Sequence, residues 1–257
     1  MSKHGKQQGT VSALKRGIAV LNCFSGGARS LSNGELSALT KVPKPTVTRL
    51  AATLVSLGLL RQDAETEKYS LGAGVLSLAQ AFLSGLDVRA YARPHMAKLA
   101  ETFGGSVLLA VREGLDMVVI EASRARAPVL TVRLDVGSRL PLASSALGRA
   151  YLGALELAER ATLLDLLQTT GPAIEGALRD VAAHGYSTSL GELYAEINSI
   201  ATAIALPGGE WVALNCGGPA FSFPERRLRE EVAPRLLAAA RAIATEIGGN
   251  SAGLKAA

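Results

Sequence analysis

A group of polar residues between positions 44 and 49 has the types and the spacing that contact with DNA requires. The group consists of Lys44, Thr46, Thr48 and Arg49, at the start and on the outward side of a predicted helix. The fork of Arg49 fits either a guanine edge or a phosphate. Lys44 and Thr46 flank the helix N-terminus, which favours a phosphate oxygen. The pattern predicts that Thr48 and Arg49 read bases, and that Lys44 and Thr46 hold phosphate.

Two short amphipathic helices around a tight turn position this group. Ser32 and Glu35 have the spacing of a capping box, in which the serine oxygen accepts from the Glu35 amide and the carboxylate reaches back. The chain turns over residues 42–45, because Pro43 and Pro45 each restrict the residue before them. Pro45 suits the first position of the second helix, where no amide partner is lost. The predicted buried side of that helix comprises Val47, Leu50, Ala51, Leu54, Leu57 and Gly58.

The distribution of charge separates two interpretations of this helical pair. In one, it is an ordinary helical hairpin of an all-helical domain, and Lys44 and Arg49 are solvated charges. Residues 1–60, however, contain eight Lys or Arg and one acid, whereas residues 61–257 contain 19 basic and 21 acidic residues. The whole basic excess therefore lies at the end that carries the helical pair. This is the electrostatic pattern of a module that binds phosphates.

Two further elements predict a winged helix-turn-helix over residues 11–72. Residues 11–24 carry apolar side chains at helical spacing and predict a first helix that packs behind the pair. Residues 61–72 alternate around a polar tip at 64–67, which predicts a two-stranded wing. Lys68 on this wing is a fifth predicted DNA contact.

Residues 73–87 predict a linker helix between two domains. Gly72 and Gly74 precede it, and one side carries Val75, Ala79, Phe82, Leu83 and Leu86. A stripe this apolar outside the small domain must be covered, which favours packing against a second subunit. The alternative is a core helix of the second domain.

Length and composition set the class of protein. A chain of 257 residues with 48% hydrophobic content holds one large domain or two moderate ones. Residues 1–10 and 249–257 predict disordered or flexible ends. No apolar run approaches the roughly 20 residues that span a bilayer, so we expect a cytoplasmic protein without a membrane partner. Cys23 and Cys216 are far apart and outside any metal-binding motif, so no metal and no cofactor are expected.

Residues 88–248 predict an α+β domain in which helices interrupt antiparallel strands. Helices are predicted over residues 88–103, 145–168, 173–184 and 224–247, the last kinked at Pro234. Strands are predicted in SVLLAVR, DMVVIEA and PVLTVRLD, and a hairpin over 207–209 joins IATAIAL to EWVALNC.

Four segments, in this order, resemble the IclR family of bacterial transcriptional regulators. They are VPKPTVTRLAATLVSLGLL, KYSLGAGVLSLA, GSRLPLASSALGRAYLGAL and HGYSTSLGELYAEINSIATAIALPGGEWVALNCGGP. The resemblance implies an N-terminal winged helix-turn-helix and a C-terminal effector-binding domain with a GAF-like fold. It also implies a homodimer or dimer of dimers on palindromic DNA, modulated by a small organic effector that often bears a carboxylate.

The resemblance further implies a ligand pocket and assigns residues to it. The family's amide-donating turn corresponds to Ala146 and Leu147, where a helix begins and exposed amides hold a carboxylate. The other matching positions are Ser189, Ser199 and Asn215, with Gly217 close by. An alternative places Ser189 in a mobile loop. Cys216 alternates with Asn215 along a strand, so it is predicted to pack in the core.

This chain departs from the family pattern at several positions. It offers Ser189, Ser199, Asn215 and Gly217 where related sensors present an acid, a cysteine and two serines. Ala143 stands at a position where the family often has a histidine. Pro45 replaces a frequent serine and has no donor for a phosphate.

Two other functions compete with ligand-responsive regulation. One is a DNA-binding regulator whose C-terminal domain only oligomerises. The other is a hydrolase that uses Ser144 or Ser145 with His184. The chain has no GxSxG elbow, no HExxH and no glycine-rich phosphate loop, which argues against an enzyme.

Overall fold

The computed structural model describes residues 11–25, 27–126, 134–169 and 171–248. The chain divides into two compact units, Met1–Gly85 and Leu86–Ala257. The division falls inside the predicted linker, residues 73–87, whose bounds stay a prediction. The predicted flexible ends, residues 1–10 and 249–257, lie outside the described residues, as do residues 128–133 of the predicted strand PVLTVRLD.

The N-terminal unit is a winged helix-turn-helix, as the sequence predicts. Its elements are α1 (Ser12–Asn22), α2 (Asn33–Thr40), α3 (Lys44–Ser56), β1 (Leu60–Gln62), β2 (Tyr69–Leu71) and α4 (Gly74–Ser84). β1 and β2 pair antiparallel and form the wing. A backbone bridge between Leu31 and Tyr69, which the sequence analysis did not predict, ties the wing to the chain just before α2.

The predicted capping box is present at the start of α2. The Ser32 amide donates to Glu35 Oε2 at 2.7 Å, and the Glu35 amide donates to Ser32 Oγ at 3.3 Å. α2 ends at Lys41, which adopts the left-handed conformation with φ of 56°. The turn then runs to Pro43, which precedes the first residue of α3.

α3 begins and ends slightly differently from its prediction. It begins at Lys44, so Pro45 occupies the second helical position and not the first. Either position is compatible with proline, because neither amide has an acceptor within the helix. Leu57 was predicted on the buried side but is 64% exposed. α3 ends at Ser56 and Gly58 has φ of 70°, so the chain turns away before Leu57 reaches the core.

The α4 helix has no buried residue, although it is strongly apolar. Leu76, Leu78 and Phe82 are among the exposed large hydrophobic side chains. The alternative in which this segment is a core helix of the second domain is therefore wrong. Because no residue of α4 is buried by the described part of the chain, its apolar side chains favour burial against another surface.

The C-terminal unit is a mixed α+β domain around one sheet. Its helices are α5 (Val88–Phe103), α6 (Ala146–Ala154), α7 (Leu157–Leu167), α8 (Pro172–His184), α9 (Glu225–Arg227) and α10 (Ala233–Glu246). Its strands are β3 (Ser106–Glu113), β4 (Asp116–Arg124), β5 (Arg139–Pro141), β6 (Ser187–Leu190), β7 (Ile197–Ala205) and β8 (Trp211–Pro219).

The six strands pair in the order β5-β4-β3-β8-β7-β6, and every recorded pair is antiparallel. Both outer strands, β5 and β6, were not predicted, because each is only three or four residues long. The predicted helix over 145–168 is two helices, since the chain is extended at Leu155 and Glu156. The predicted helices at 88–103 and 173–184 agree with α5 and, to within one residue, with α8.

The sheet is covered on both faces. Leu108 and Ala110 of β3 belong to a buried cluster that includes residues of α6, α7 and α8. Val107 and Leu109, which alternate with them along the strand, are also fully buried. Among the described helices, none combines the length and apolarity needed to cross a membrane.

The predicted helix over residues 224–247 contains a π-helical turn at Leu228–Val232, just before Pro234. The Ala233 amide donates to the Leu228 carbonyl, one residue farther back than in an α-helix. Pro234 has no amide, and its ring would collide with the carbonyl four residues earlier. The wider π turn relieves this conflict just before α10.

Candidate DNA-binding face and ligand pocket

The exposed side of α3 carries most of the predicted DNA-binding residues. Lys44, Thr48 and Arg49 are exposed, and Thr46 is half-buried. Val47, Ala51 and Leu54 on the opposite side belong to the buried core. Within the described residues the Arg49 guanidinium forms no recorded ion pair or hydrogen bond, so it is available to a partner outside the chain.

The Thr48 hydroxyl is held by its neighbours. It donates to the Lys44 carbonyl at 3.0 Å and accepts from Asn33 Nδ2 at 2.7 Å. Asn33 therefore connects α2 to α3, a role that the sequence analysis missed because its partner lies 15 residues away. The methyl group and one lone pair of Thr48 remain for an external contact.

The N-terminus of α3 offers fewer amides than a typical helix start. The amides of Thr46 and Val47 both donate to the Pro43 carbonyl, at 2.9 and 3.0 Å, and Pro45 has none. The Lys44 side chain packs over Gly34, where an added Cβ would lie 3.9 Å from Nζ. Phosphate contacts at this end therefore depend on the Lys44 ammonium and the Thr46 hydroxyl.

The wing places Lys68 near the start of α2. Lys68 is half-buried beside the buried Tyr69. The pKa of Glu35 is lowered, first by the hydrogen bond from the Ser32 amide, then by that of the Ser32 hydroxyl, and also by the charge of Lys68. At the wing tip, the Asp63 carboxylate accepts from the Thr66 amide and hydroxyl at 2.8 and 2.7 Å. These bonds close the turn between β1 and β2.

A cavity in the C-terminal unit brings together all five residues that were predicted to bind a ligand. Its volume is about 60 Å³, several times what one buried water needs. The predicted residues in its wall are Ala146, Leu147, Ser189, Ser199 and Asn215. Other lining residues, which were not predicted, include Ser106, Leu108, Leu134, Leu140, Leu193, Tyr194 and Ile197.

The N-terminus of α6 forms one wall of the cavity. Ala146 and Leu147 are its first two residues, so their amides have no acceptor within the helix. Ser145 caps the helix, accepting from the Gly148 amide at 3.0 Å and donating to the Pro141 carbonyl at 2.7 Å. A side chain at Gly148 would overlap the Leu142 backbone, so glycine permits this close approach.

The three strands β6, β7 and β8 carry the other predicted lining residues. Ser189 of β6 pairs with Ser199 of β7, which also pairs with Gly217 of β8. Ser189 is 4% exposed and lies in a strand, so the mobile-loop alternative is wrong. A Cβ at Gly217 would lie 2.6 Å from Ser199 Cβ, and the glycine therefore leaves room for this serine.

Asn215 supplies a side-chain donor to the cavity. It is 7% exposed, and its Oδ1 accepts from the Leu108 amide on β3 at 2.9 Å. This bond fixes the orientation of the side-chain amide. Among the described residues no acceptor is recorded for Nδ2, which leaves the NH2 group free for a ligand.

Models of two domain families match this chain in sequence. The model described as the IclR helix-turn-helix domain matches residues 13–64, and the one described as the bacterial transcriptional regulator IclR C-terminal domain matches residues 80–245. The chain belongs to the IclR family of transcriptional regulators. Its domains are the DNA-binding and effector domains of this family, and its homologues are regulators and not enzymes.

Individual IclR-family proteins are similar along most of the chain. The HTH-type transcriptional regulator TsaQ1/TsaQ2 of Comamonas testosteroni is 32% identical over 89% of this chain and 85% of its own length. The HTH-type transcriptional repressor AllR of Escherichia coli is 31% identical over 84% and 83%. A crystal structure of an IclR family regulator from Brucella abortus has a TM-score of 0.83, with 36% identity over 96% of both chains.

The second basic residue of the IclR-like segment GSRLPLASSALGRAYLGAL is Arg149, which lies in α6 and bonds to residues distant in the sequence. The Arg149 side chain is only 6% exposed and forms a two-pronged ion pair with Glu192. It also donates to the carbonyls of Ala143 at 2.9 Å and Thr188 at 3.3 Å. The hydrogen bond from Arg149 is the main cause that lowers the pKa of Glu192. Arg149 thus joins α6 to the segment that carries the lining residues Leu193 and Tyr194.

No role for Arg149 or Glu192 was predicted from the sequence. A charged residue in the otherwise apolar stretch of α6 was an available signal, since buried arginines are paired. The partner lies 43 residues farther along the chain, and no local pattern identifies it.

Two residues of the hydrolase alternative, Ser145 and His184, have structural roles. The hydroxyl of Ser145 is committed to the cap of α6, and the His184 ring stacks on Tyr186 with centroids 5.7 Å apart. Cys216 is fully buried, as predicted, and burial raises the pKa of its thiol to about 12. Its side chain faces away from Asn215, because successive strand residues alternate.

Proposed function

We propose that this IclR-family regulator binds palindromic operator DNA through α3 and the wing, and that a small organic acid in the C-terminal pocket alters this binding. The observation that carries the proposal is that Asn215 lines the cavity and that its Nδ2 has no recorded acceptor among the described residues, while its Oδ1 is held by the Leu108 amide. A ligand that accepts a hydrogen bond from Nδ2 therefore competes with no recorded protein acceptor.

In this proposal the five predicted DNA-binding residues divide into base contacts and phosphate contacts. Arg49 contacts a guanine edge in the major groove, and the Thr48 methyl group packs against a thymine methyl. The phosphate contacts come from Lys44, Thr46 and Lys68. The first two act through their side chains, because Pro45 and the internal bonds of Thr46 and Val47 leave few amides. Lys68 acts from the wing.

Two-fold symmetry gives the operator its palindromic form. A dimer presents two copies of α3, so its half-sites lie about 34 Å apart, or a multiple of that distance, on one face of the duplex. The exposed apolar side chains of α4 are the proposed dimer contact. A dimer, or a dimer of dimers, covers this face. We place the regulator in the cytoplasm, together with its DNA.

The pocket binds its ligand through neutral donors. The amides of Ala146 and Leu147 and the positive end of the α6 dipole hold a carboxylate. Asn215 Nδ2 and the hydroxyls of Ser189 and Ser199 supply further hydrogen bonds. The ligand changes DNA affinity only to the extent that its own affinity differs between the DNA-binding conformation of the protein and the other conformations.

The test combines DNA binding with one substitution. Fluorescence anisotropy with fragments of the chain's own promoter region is expected to find a palindrome whose affinity falls steeply with salt. Asn215→Ala is expected to abolish the effect of an organic acid on this affinity and to leave ligand-free DNA binding intact. Asn198→Ala is the matched control, because its Nδ2 already donates to the Phe223 carbonyl at 3.0 Å.

Each part of the proposal has its own contrary result. Binding that is independent of salt would contradict a phosphate-contacting face. An unchanged ligand response in Asn215→Ala would place the sensing site elsewhere. If no organic acid alters DNA affinity, the C-terminal domain acts only in oligomerisation.

A further inference from the structure

The two exposed threonines of α3 differ in how firmly their hydroxyls are held. The Thr48 hydroxyl donates to the Lys44 carbonyl at 3.0 Å and accepts from Asn33 Nδ2 at 2.7 Å. The Thr53 hydroxyl makes the equivalent bond to the Arg49 carbonyl at 3.0 Å, and no second bond is recorded for it in the described part of the chain. Thr48 is therefore held from two sides, and Thr53 from one.

The amide of Asn33, the first residue of α2, has a defined orientation toward α3. Its Nδ2 donates to Thr48 Oγ1 and also lies 3.4 Å from the Lys44 carbonyl oxygen. A carbonyl oxygen only accepts, so the NH2 end of the amide faces these two atoms. Asn33 Oδ1 is buried, and no donor to it is recorded among the described residues. The amide is therefore bound to α3 through Nδ2.

These bonds determine which hydrogen bonds Thr48 has left for a partner outside the chain. A threonine hydroxyl has one proton and two lone pairs. The Lys44 carbonyl takes the proton, and Asn33 Nδ2 takes one lone pair. Threonine in a helix divides between two rotamers, and the bond from Asn33 favours the one observed. Toward DNA, Thr48 is therefore an acceptor and not a donor.

The bases differ in what they offer to such an acceptor in the major groove. Adenine presents the N6 amino group, a donor, and its partner thymine presents a methyl group. Guanine presents only the acceptors N7 and O6, and cytosine presents a donor but no methyl group. An A·T pair thus matches both the lone pair and the methyl group of Thr48. A guanine in place of the adenine would set one acceptor against another.

We propose that Asn33 makes Thr48 specific for an A·T base pair in each half-site of the operator. Asn33 holds the Thr48 hydroxyl so that it accepts from adenine N6, while the Thr48 methyl group packs against the thymine methyl. Asn33 is a positioning residue and contacts no base itself. The proposal rests on the base contact of Thr48 proposed above and supplies the origin of its preference.

The first experiment selects binding sites for the full chain from a pool of randomised DNA duplexes, and sequencing gives the base preference at every position. The wild type is expected to prefer adenine over guanine by about three- to tenfold at one position of each half-site, the worth of one hydrogen bond. In Asn33→Ala this preference is expected to fall below about twofold. Thr53→Val is the matched control and is expected to keep it. Circular dichroism verifies the fold of each variant.

A double-mutant cycle tests whether Asn33 acts through Thr48. Thr48→Val lacks the hydroxyl and is expected to lose the same preference. Adding Asn33→Ala to Thr48→Val is expected to change it by less than about twofold. The salt dependence of binding in Asn33→Ala is expected to equal that of the wild type, because no phosphate contact is removed. Loosened packing between α2 and α3 would instead weaken binding at all positions, and that result overturns the positioning role.

Base analogues test the two contacts on the wild-type protein and do not depend on the folding of any variant. Replacing the selected adenine by purine, which lacks the 6-amino group, is expected to weaken binding by about three- to tenfold. Replacing the paired thymine by uracil, which lacks the methyl group, is expected to weaken it by about two- to fivefold. Anisotropy titrations measure both. Unchanged affinity for the purine duplex overturns the hydrogen bond to adenine.

Contrary results separate this proposal from the one on which it rests. An Asn33→Ala variant that keeps the preference for adenine overturns the role of Asn33, while DNA binding through α3 stands. A preference for guanine at the position that Thr48→Val affects overturns the acceptor-only assignment. A pool in which no palindrome is enriched overturns both this proposal and the operator binding proposed above.

Discussion

The DNA-binding face and the ligand pocket use polar groups in opposite ways. The face presents charged, exposed side chains on one helix, and Arg49 has no recorded partner within the described chain. The pocket presents uncharged donors from one helix and three strands, with Asn215 and Ser189 buried. A face that contacts phosphate in water needs charged side chains, and these need few hydrogen bonds to the rest of the protein. A buried site needs few charged side chains but many such hydrogen bonds, because each polar group must be held in place.

The comparison predicts that substitutions around the pocket affect folding, whereas substitutions on α3 affect only DNA binding. Four substitutions test it, in order of expected size. The first two concern the support of the pocket, and the last two concern the N-terminal unit.

Gly148→Ala is expected to have the largest effect. The added Cβ overlaps the Leu142 backbone, which cannot move without displacing the pocket wall, so the free energy of unfolding falls by about 3 kcal/mol. The matched control is Gly176→Ala in α8, where a Cβ meets only the end of Arg179. This control is expected to gain about 0.5 to 1 kcal/mol. Urea denaturation followed by circular dichroism measures both, and equal effects would contradict the close approach.

Arg149→Met is expected to cost about 2 kcal/mol, since it leaves two carbonyls and Glu192 without their charged donor. Urea denaturation followed by circular dichroism measures this loss too. Arg226→Met is the control, because Arg226 pairs with Glu230 on an exposed surface and is expected to have no measurable effect. Ligand affinity should also fall in Arg149→Met, as the segment with Leu193 and Tyr194 loses its anchor. A variant as stable as the wild type would contradict this role.

Arg49→Ala tests the other side of the comparison. DNA binding is expected to weaken by about 1 to 3 kcal/mol, concentrated at particular base pairs of the operator. The free energy of unfolding is expected to stay unchanged, because Arg49 is exposed. Anisotropy titrations with operators mutated one base pair at a time provide the measurement. A uniform loss over all sequences would make Arg49 a phosphate contact.

The smallest effect is expected from the capping box of α2. The hydrogen bonds from Ser32 lower the pKa of Glu35 in the folded protein. Their stabilising contribution is therefore complete above the pKa of an unfolded glutamate, about 4.3, and is lost as the pH falls through the lowered value. Thermal unfolding between pH 3 and about 6 should show a smaller pH dependence in Glu35→Gln than in the wild type. An unchanged dependence would contradict the capping box.

The two regions were not equally accessible to prediction. The winged helix-turn-helix followed from local rules: the Ser32 and Glu35 spacing, the two prolines of the turn, and the periodicity of α3. The small errors were local too, at Pro45 and Leu57. The pocket residues came from resemblance to a family, because nothing in the spacing of Ala146, Ser189 and Asn215 by itself indicates that they meet.

Several features of the site lay beyond the reach of any local pattern. The bond between Asn33 and Thr48 crosses 15 residues, that between Arg149 and Glu192 crosses 43, and that between Leu108 and Asn215 crosses 107. The strands β5 and β6 are too short to be recognised by alternation, but pairing with long neighbours stabilises them.

The sequence by itself determined most of the elements of this protein, the concentration of positive charge at its N-terminal end, and the family to which it is similar. Capping, turn chemistry and periodicity act between residues that are neighbours along the chain, so they are readable in the sequence. The tertiary structure alone decided which polar groups are free. The free Nδ2 of Asn215 and the occupied guanidinium of Arg149 depend on contacts that strand pairing creates between distant segments.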